Sequence, residues 1–327
     1  MLLLKKEDIK KVFTMEDAIE SVKEAFSMYS QGKSQVPLRT NIQVPKSNGT
    51  LLFMPAFAED LNAASLKIVN IYPDNAKKNL PTAPAQVMLI DTETGLVEAI
   101  LDGTHMTQMR TGAATGAAFD ILGVMDAKVG AMIGTGGQAA TQLEAMLAVR
   151  KLEIVKVYDL DPQRLEAFVE AMRKELGHYG AEIVAVSSSD EAVEDADLLV
   201  TVTPATSPVF DATKCKKGVT VSCVGAYQHH MQEMDPVILT RASKIYFDSQ
   251  EAVLDESGDI LIPLAEGIIT EDDFTGELGQ VLTGEIVGRE NDDEIIVFET
   301  VGIGTQDLTA ARTAYKKAKA AGIGMEW

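Results

Sequence analysis

Hydrophobic positions along the chain follow two different rhythms. Near the start, Ile19, Val22, Phe26 and Tyr29 recur at helical spacing behind Thr14-Met15-Glu16-Asp17, an N-cap with an acid three residues on, until Gln31-Gly32 ends the pattern. An amphipathic helix is predicted there. Strand-like runs follow at 50–54, 65–70, 85–90 and 96–101, and the turn-rich connector at 91–95 joins the last two as an antiparallel hairpin. This first region reads as α+β. Beyond residue 127 the texture changes: 129–133, 154–158, 183–186, 198–203, 219–224, 244–247 and 295–298 are short apolar runs, mostly separated by helical stretches such as 138–149 and 163–176. Continuous apolar strands alternating with helices predict an α/β fold with a doubly wound parallel sheet covered on both faces. Between the two regions, "TQMRTGAATGAAFDIL" at 107–122 is rich in small residues and predicts a closely packed helix. Residues 307–321 predict a last, alanine-rich helix.

Size and charge narrow the classes. A chain of 327 residues suits two domains, and 46 % hydrophobic with 24 % charged residues is an ordinary globular composition. The formal charge of −20, from 49 acidic against 29 basic side chains, repels phosphodiester backbones and anionic lipid, so neither nucleic acid nor membrane is expected as a partner. No run approaches the ~18 apolar residues of a membrane span. The N-terminal Met1-Leu2-Leu3-Leu4-Lys5-Lys6 is too short and too charged for a signal peptide, and two cysteines cannot form a disulfide framework, so a cytoplasmic setting is expected. Cys215, Cys223, His105, His178, His229 and His230 lack the spacing of a zinc site, and no metal is expected. In an acidic protein isolated cations stand out: Arg39 ahead of an apolar stretch, Lys67 inside "ASLKIVN", and Arg110 in the small-residue helix. A lysine in an apolar strand ordinarily faces solvent, and at this level that reading of Lys67 stays open.

"VGAMIGTGGQAATQLE" at 129–144 carries G-x-G-x-x-A, with Gly134, Gly136 and Ala139 directly after a predicted strand and at the start of a predicted helix. The first glycine makes the turn, the second admits a pyrophosphate to the backbone, and the small third residue lets helix and strand pack. Alone, the pattern equally fits a glycine-lined turn. Asp159 ends the next strand at the distance where an acid accepts the ribose hydroxyls of an adenosine and repels a 2′-phosphate, which favours NAD. Arg164, close behind it, leaves NADP open.

Several segments closely resemble the ornithine cyclodeaminase/μ-crystallin family: "MPAF" at 54–57, "LKIVNIYPDN" at 66–75, "IDTETGLVEAILDGTHMTQMRTGAATG" at 90–116, "IGTGGQA" at 133–139 and "GIGTQDLTAA" at 302–311. The resemblance spans nearly the whole chain. It implies a substrate-binding and dimerisation domain over 1–118, completed by a C-terminal helix at 305–327, and an NAD(P)-binding Rossmann domain over 119–304. It makes Arg39 and Arg110 the ligands of a substrate carboxylate, for which a planar charged fork is suited. Lys67 takes the position of the active-site lysine, its pKa held down by the arginines, with Met54 and His229 beside the substrate. Gly134, Thr135, Gly136, Gly137, Gln138 and Ala139 would line the pyrophosphate, Asp159 and Arg164 the adenosine ribose, and Thr111, Thr203, Pro204 and Val224 the remainder of the cofactor.

One departure bears on the reaction. Members that cyclise ornithine carry an aspartate in the turn after the fifth sheet strand, where this chain reads "VGAYQHHMQEMD" with Ala226-Tyr227; a second acid expected just before the "MP" pair is replaced by Leu52 and Phe53. Nothing then anchors a side-chain ammonium. The expectation is an NAD(P)-dependent oxidoreductase of a small α-imino or α-amino acid, acting as a homodimer in ketimine reduction or in oxidative deamination of an amino acid such as alanine. Ornithine or lysine cyclodeamination with internally recycled NAD, and a nucleotide-dependent binding protein of the μ-crystallin kind, are the alternatives.

Overall fold

The computed structural model describes residues 1–78 and 80–327. The chain divides into two compact units, Met1–Arg110 with Ile303–Trp327, and Thr111–Gly302.

The first unit is built on strands β1 (Leu2–Leu4), β2 (Ser34–Gln35), β3 (Thr40–Val44), β4 (Gly49–Ala58), β5 (Ala63–Ile71), β6 (Ala85–Asp91) and β7 (Val97–Asp102), with helices α1 (Lys6–Val12) and α2 (Met15–Ser30) before β2 and the beginning of α3 (Gly103–Leu122), as far as Arg110, after β7. The core of the sheet is the antiparallel meander β7-β6-β5-β4, and β6 and β7 form the expected hairpin. In α2 the Thr14 hydroxyl accepts from the Asp17 amide while the Asp17 carboxylate accepts from the Thr14 amide, so a capping box starts the helix; Ile19, Val22 and Phe26 are buried along one face. The last helix, α11 (Gly304–Ala321), packs on α2 and across β4, β5 and β6.

Burial along β5 runs opposite to its hydrophobic pattern. Ser65, Lys67 and Val69 point into the core, whereas Leu66 and Ile68 are partly exposed. The solvent-facing reading of Lys67 is therefore wrong. The reason is α11, which lies over the Lys67 face and brings a carboxylate to meet it.

The second unit carries strands β8 (Val129–Ile133), β9 (Ile154–Tyr158), β10 (Glu182–Ala185), β11 (Leu198–Thr201), β12 (Thr220–Cys223), β13 (Lys244–Phe247), β14 (Gly276–Glu277) and β15 (Ile296–Glu299) in one parallel sheet ordered β10-β9-β8-β11-β12-β15-β13-β14. Helices α4 (Ala139–Val149), α5 (Pro162–Leu176), α6 (Ser189–Val193), α7 (Val237–Arg241), α8 (Gln250–Glu256), α9 (Gly258–Ala265) and α10 (Leu278–Leu282) connect them. The inner strands are buried throughout, as continuous apolar runs require, and Met132, Leu143, Val157, Leu198 and Val200 belong to one hydrophobic core. The order reverses between β8 and β11, which makes that edge the topological switch point of the sheet.

The division between the units falls at 110/111 and 302/303, not at 118/119 and 304/305. The cause lies in the small-residue part of α3, which packs within the second unit: a Cβ at Gly112 would stand 2.4 Å from the Thr141 carbonyl oxygen, and the Thr115 and Ser222 hydroxyls are hydrogen-bonded at 2.9 Å. The helix also begins earlier than the small-residue run, at Gly103. Both cysteines are buried free thiols, and among the described residues no helix is long and apolar enough to cross a membrane.

Candidate active site

In the first unit the predicted cations converge. Lys67 is fully buried, and its Nζ lies 2.6 Å from Oδ2 of Asp307 in the first turn of α11. The other oxygen of Asp307 stands 3.2 Å from Nε of Arg110, whose Nη1 donates to Gln306 Oε1 at 3.3 Å. Arg110 is itself buried, and Met54, in cross-strand register with Lys67, closes the same face of the sheet. Arg39, half-buried between β2 and β3, is near enough for its charge to act on the lysine. Burial first, then the Arg110 charge and to a lesser degree that of Arg39, push the Lys67 ammonium down to about 7 against the opposing pull of Asp307. A group poised there exchanges protons readily near neutral pH. Lys67 and Arg110 share the single carboxylate of Asp307, a setting suited to a further anionic group such as a carboxylate.

Asp307 and Gln306 were not among the expected site residues. In an alanine-rich helix an acid reads as part of a solvated face, and the available signal was its place in the first helical turn, where a carboxylate is favoured by the helix dipole.

In the second unit the glycine segment occupies the switch point. Gly134 has φ of +104°, and a Cβ there would meet the Val202 carbonyl oxygen at 2.7 Å, so both backbone and space demand glycine. Gly136 and Gly137, by contrast, look into open space within 4 Å, the room a pyrophosphate needs. No side chain caps α4 at Gln138, and buried Ala139 seats the helix in the core beside β8. Asp159 is buried and more committed than expected. Its Oδ2 accepts from the Thr135 amide at 2.9 Å and hydroxyl at 2.7 Å; its Oδ1 accepts from the Asp161 amide at 2.9 Å and from Arg164 Nη2 at 2.5 Å. Burial works to raise its carboxyl, yet Arg164 and these donors hold it below the usual range. The Arg164 side chain is 56 % exposed, so it can leave Asp159 to a ribose or turn to a 2′-phosphate.

Thr203 and Pro204 follow β11, and Val224 follows β12. Buried Glu233, absent from the sequence expectations, holds these strand ends together: its two oxygens accept from the Thr203 and Gly225 amides, each at 2.5 Å. Thr111 contributes a carbonyl that accepts from Gln142 Nε2 at 3.2 Å. His229 is exposed, its Nε2 2.6 Å from the Asp255 carbonyl oxygen, and takes no part in this strand-end network.

A parallel sheet with a glycine turn at its switch point and an acid at the end of the adjoining strand defines a Rossmann-type dinucleotide fold, here joined to a unit with a buried lysine–arginine–aspartate cluster. The chain belongs to the ornithine cyclodeaminase/mu-crystallin family, whose model matches residues 1–322. It is 36 % identical over 324 residues to a Delta(1)-pyrroline-2-carboxylate reductase of Bacillus cereus, covering 99 % of this chain and 98 % of that one. Its fold matches the Thermococcus litoralis Delta(1)-pyrroline-2-carboxylate reductase in complex with NADH and L-proline, with a TM-score of 0.95, 42 % identity and full coverage of both chains. An archaeal alanine dehydrogenase dimer with bound NAD is similar at a TM-score of 0.91 and 34 % identity, over 99 % of this chain and 98 % of that one.

Proposed function

We propose that the protein is an NAD(P)-dependent oxidoreductase that reduces the C=N bond of a small α-imino acid, with Δ1-pyrroline-2-carboxylate as the leading substrate and the reverse oxidation of an L-amino acid as the same chemistry run backward. The observation that carries this reading is the buried Lys67–Asp307–Arg110 cluster, in which a lysine pushed down to about 7 shares one carboxylate with an arginine.

The residues around the glycine turn fit a dinucleotide: open space at Gly136 and Gly137, an uncapped helix start, and Asp159 with a displaceable Arg164. The cofactor, when bound, supplies hydride to the imine carbon. Arg110 and Arg39 hold the substrate carboxylate, which fixes the C=N bond in place. Lys67 gives a proton to the imine nitrogen as the double bond becomes single, and Asp307 orients the ammonium that does so. NAD is favoured over NADP because Asp159 follows the strand next to the glycine turn, where an acid repels a 2′-phosphate.

Cyclodeamination is disfavoured because Leu52, on the Lys67 face of β4, and Ala226-Tyr227 are not acids, whereas a substrate ammonium would need carboxylates there. The deciding experiment follows NADH absorbance and ammonia together. Net NADH oxidation with Δ1-pyrroline-2-carboxylate, and none with ornithine or lysine, is expected; ammonia release from ornithine or lysine without net NADH change would overturn the assignment.

The α+β unit also supports a homodimer. On the sheet face away from α11, Phe53, Ile68, Pro55, Leu66, Met88 and Ile100 stand in register across four strands and remain partly exposed. Ile68→Glu is expected to convert the dimer to monomer in light scattering, and an unchanged mass would place the interface elsewhere. Two buried free thiols fit a reducing, cytoplasmic setting.

A further inference from the structure

At the carboxyl ends of β12 and β15 lies a polar cluster with no part in the proposed reaction. Cys223 and Glu299 are register partners on the adjacent strands, and Asp259 reaches them from the first turn of α9. All three are fully buried, and one donor atom from each, the Cys223 Sγ and a carboxylate oxygen from Asp259 and Glu299, lie within 4.8 Å of one another. Each carboxylate is anchored by one oxygen only. Asp259 Oδ1 accepts from the Glu233 and Met234 amides at 2.7 and 2.8 Å, and Glu299 Oε1 accepts from the Ser257 hydroxyl at 2.8 Å. Asp259 Oδ2 and Glu299 Oε2 are buried without a hydrogen-bond partner.

Buried carboxylate oxygens left unsatisfied are costly, and two of them beside a thiol cost more together than apart. Among the described residues no cation stands within this cluster to meet those two oxygens. We propose that Cys223, Asp259 and Glu299 bind a zinc-class divalent ion. A thiolate disfavours the hard cations magnesium and calcium, whereas thiolate with carboxylates is a donor set zinc accepts. Thr201, the register partner of Cys223 on β11, offers its hydroxyl for the fourth position. Sequence spacing hides such a site because its ligands come from three separate elements.

The ion would tie β12, β15 and α9 together and, because Asp259 holds the Glu233 backbone, brace the carboxylate that fixes the Thr203 and Gly225 amides. Its role is structural. This inference stands independently of the substrate assignment.

The test uses the full chain produced in zinc-supplemented medium, dialysed against chelator and measured for bound metal by mass spectrometry. About one zinc per chain is expected, lost in both Cys223→Ser and Glu299→Gln, with a lowered melting temperature in each. Absence of zinc from the parent protein, or zinc retained in both variants, overturns the site. So does a raised melting temperature for Glu299→Gln, the result expected if the cluster holds only protons, since the neutral amide would then relieve a buried acid. Should the variants fail to fold, cobalt-substituted parent protein decides: thiolate-to-cobalt charge-transfer absorption supports the site, and its absence rejects it.

Discussion

Lys67→Met is expected to lower kcat for imine reduction by about 10²- to 10⁴-fold, the range a positioned general acid contributes, while NADH affinity measured by fluorescence titration stays unchanged. Methionine keeps the bulk and the apolar contacts of the strand interior but has no proton to give. In the parent protein, the reductive kcat/KM is expected to fall as pH rises through about 7, where the Lys67 ammonium deprotonates, and the oxidative reaction to rise over the same range. The linked effect on stability has a definite sign. The folded lysine titrates near 7 and the unfolded one near its ordinary 10.5, so below about 7 the buried charge is a full liability, and stability is gained as pH rises from 7 toward 10.5. The methionine variant lacks that gain. Undiminished turnover in Lys67→Met would remove the lysine from the reaction.

Asp307→Asn is expected to cost about 3 kcal/mol of stability, the lower end of the penalty for stripping one partner from a buried ion pair, read as a lower denaturation midpoint at neutral pH. The amide keeps the shape of the carboxylate but leaves Lys67 and Arg110 facing each other without a counter-charge. Because Asp307 pulls the lysine upward, its loss moves the pH limb of reductive kcat/KM below 7. If both the midpoint and the limb stay where they are, Asp307 is not the counter-ion of the site.

How much of this was legible in the sequence depended on whether the deciding contact was local. The parallel sheet was, because each buried strand announces itself as a continuous apolar run and the glycine turn sits between one such run and its helix. The capping box at Thr14 and the β6–β7 hairpin were legible for the same reason. Lys67 could be picked out as unusual, yet its direction could not be read, since alternation within β5 gives Leu66 and Ile68 the inward face. Only a helix formed more than two hundred residues later decides otherwise. Asp307 and Glu233 escaped notice because an acid's worth here lies in the donors that meet it from distant strands and helices. The expected boundaries at 118 and 304 erred because composition marks where small residues occur, not which surface they pack against.

The unit containing Lys67 is interrupted in the chain: it opens with Met1–Arg110 and is finished only by Ile303–Trp327, with the whole parallel-sheet unit in between. During synthesis, therefore, the Rossmann segment emerges complete while the N-terminal half waits with its lysine lacking an acid. The Rossmann segment can therefore fold before Asp307 arrives to meet Lys67, so the buried ion pair is among the last contacts that the order of the chain allows.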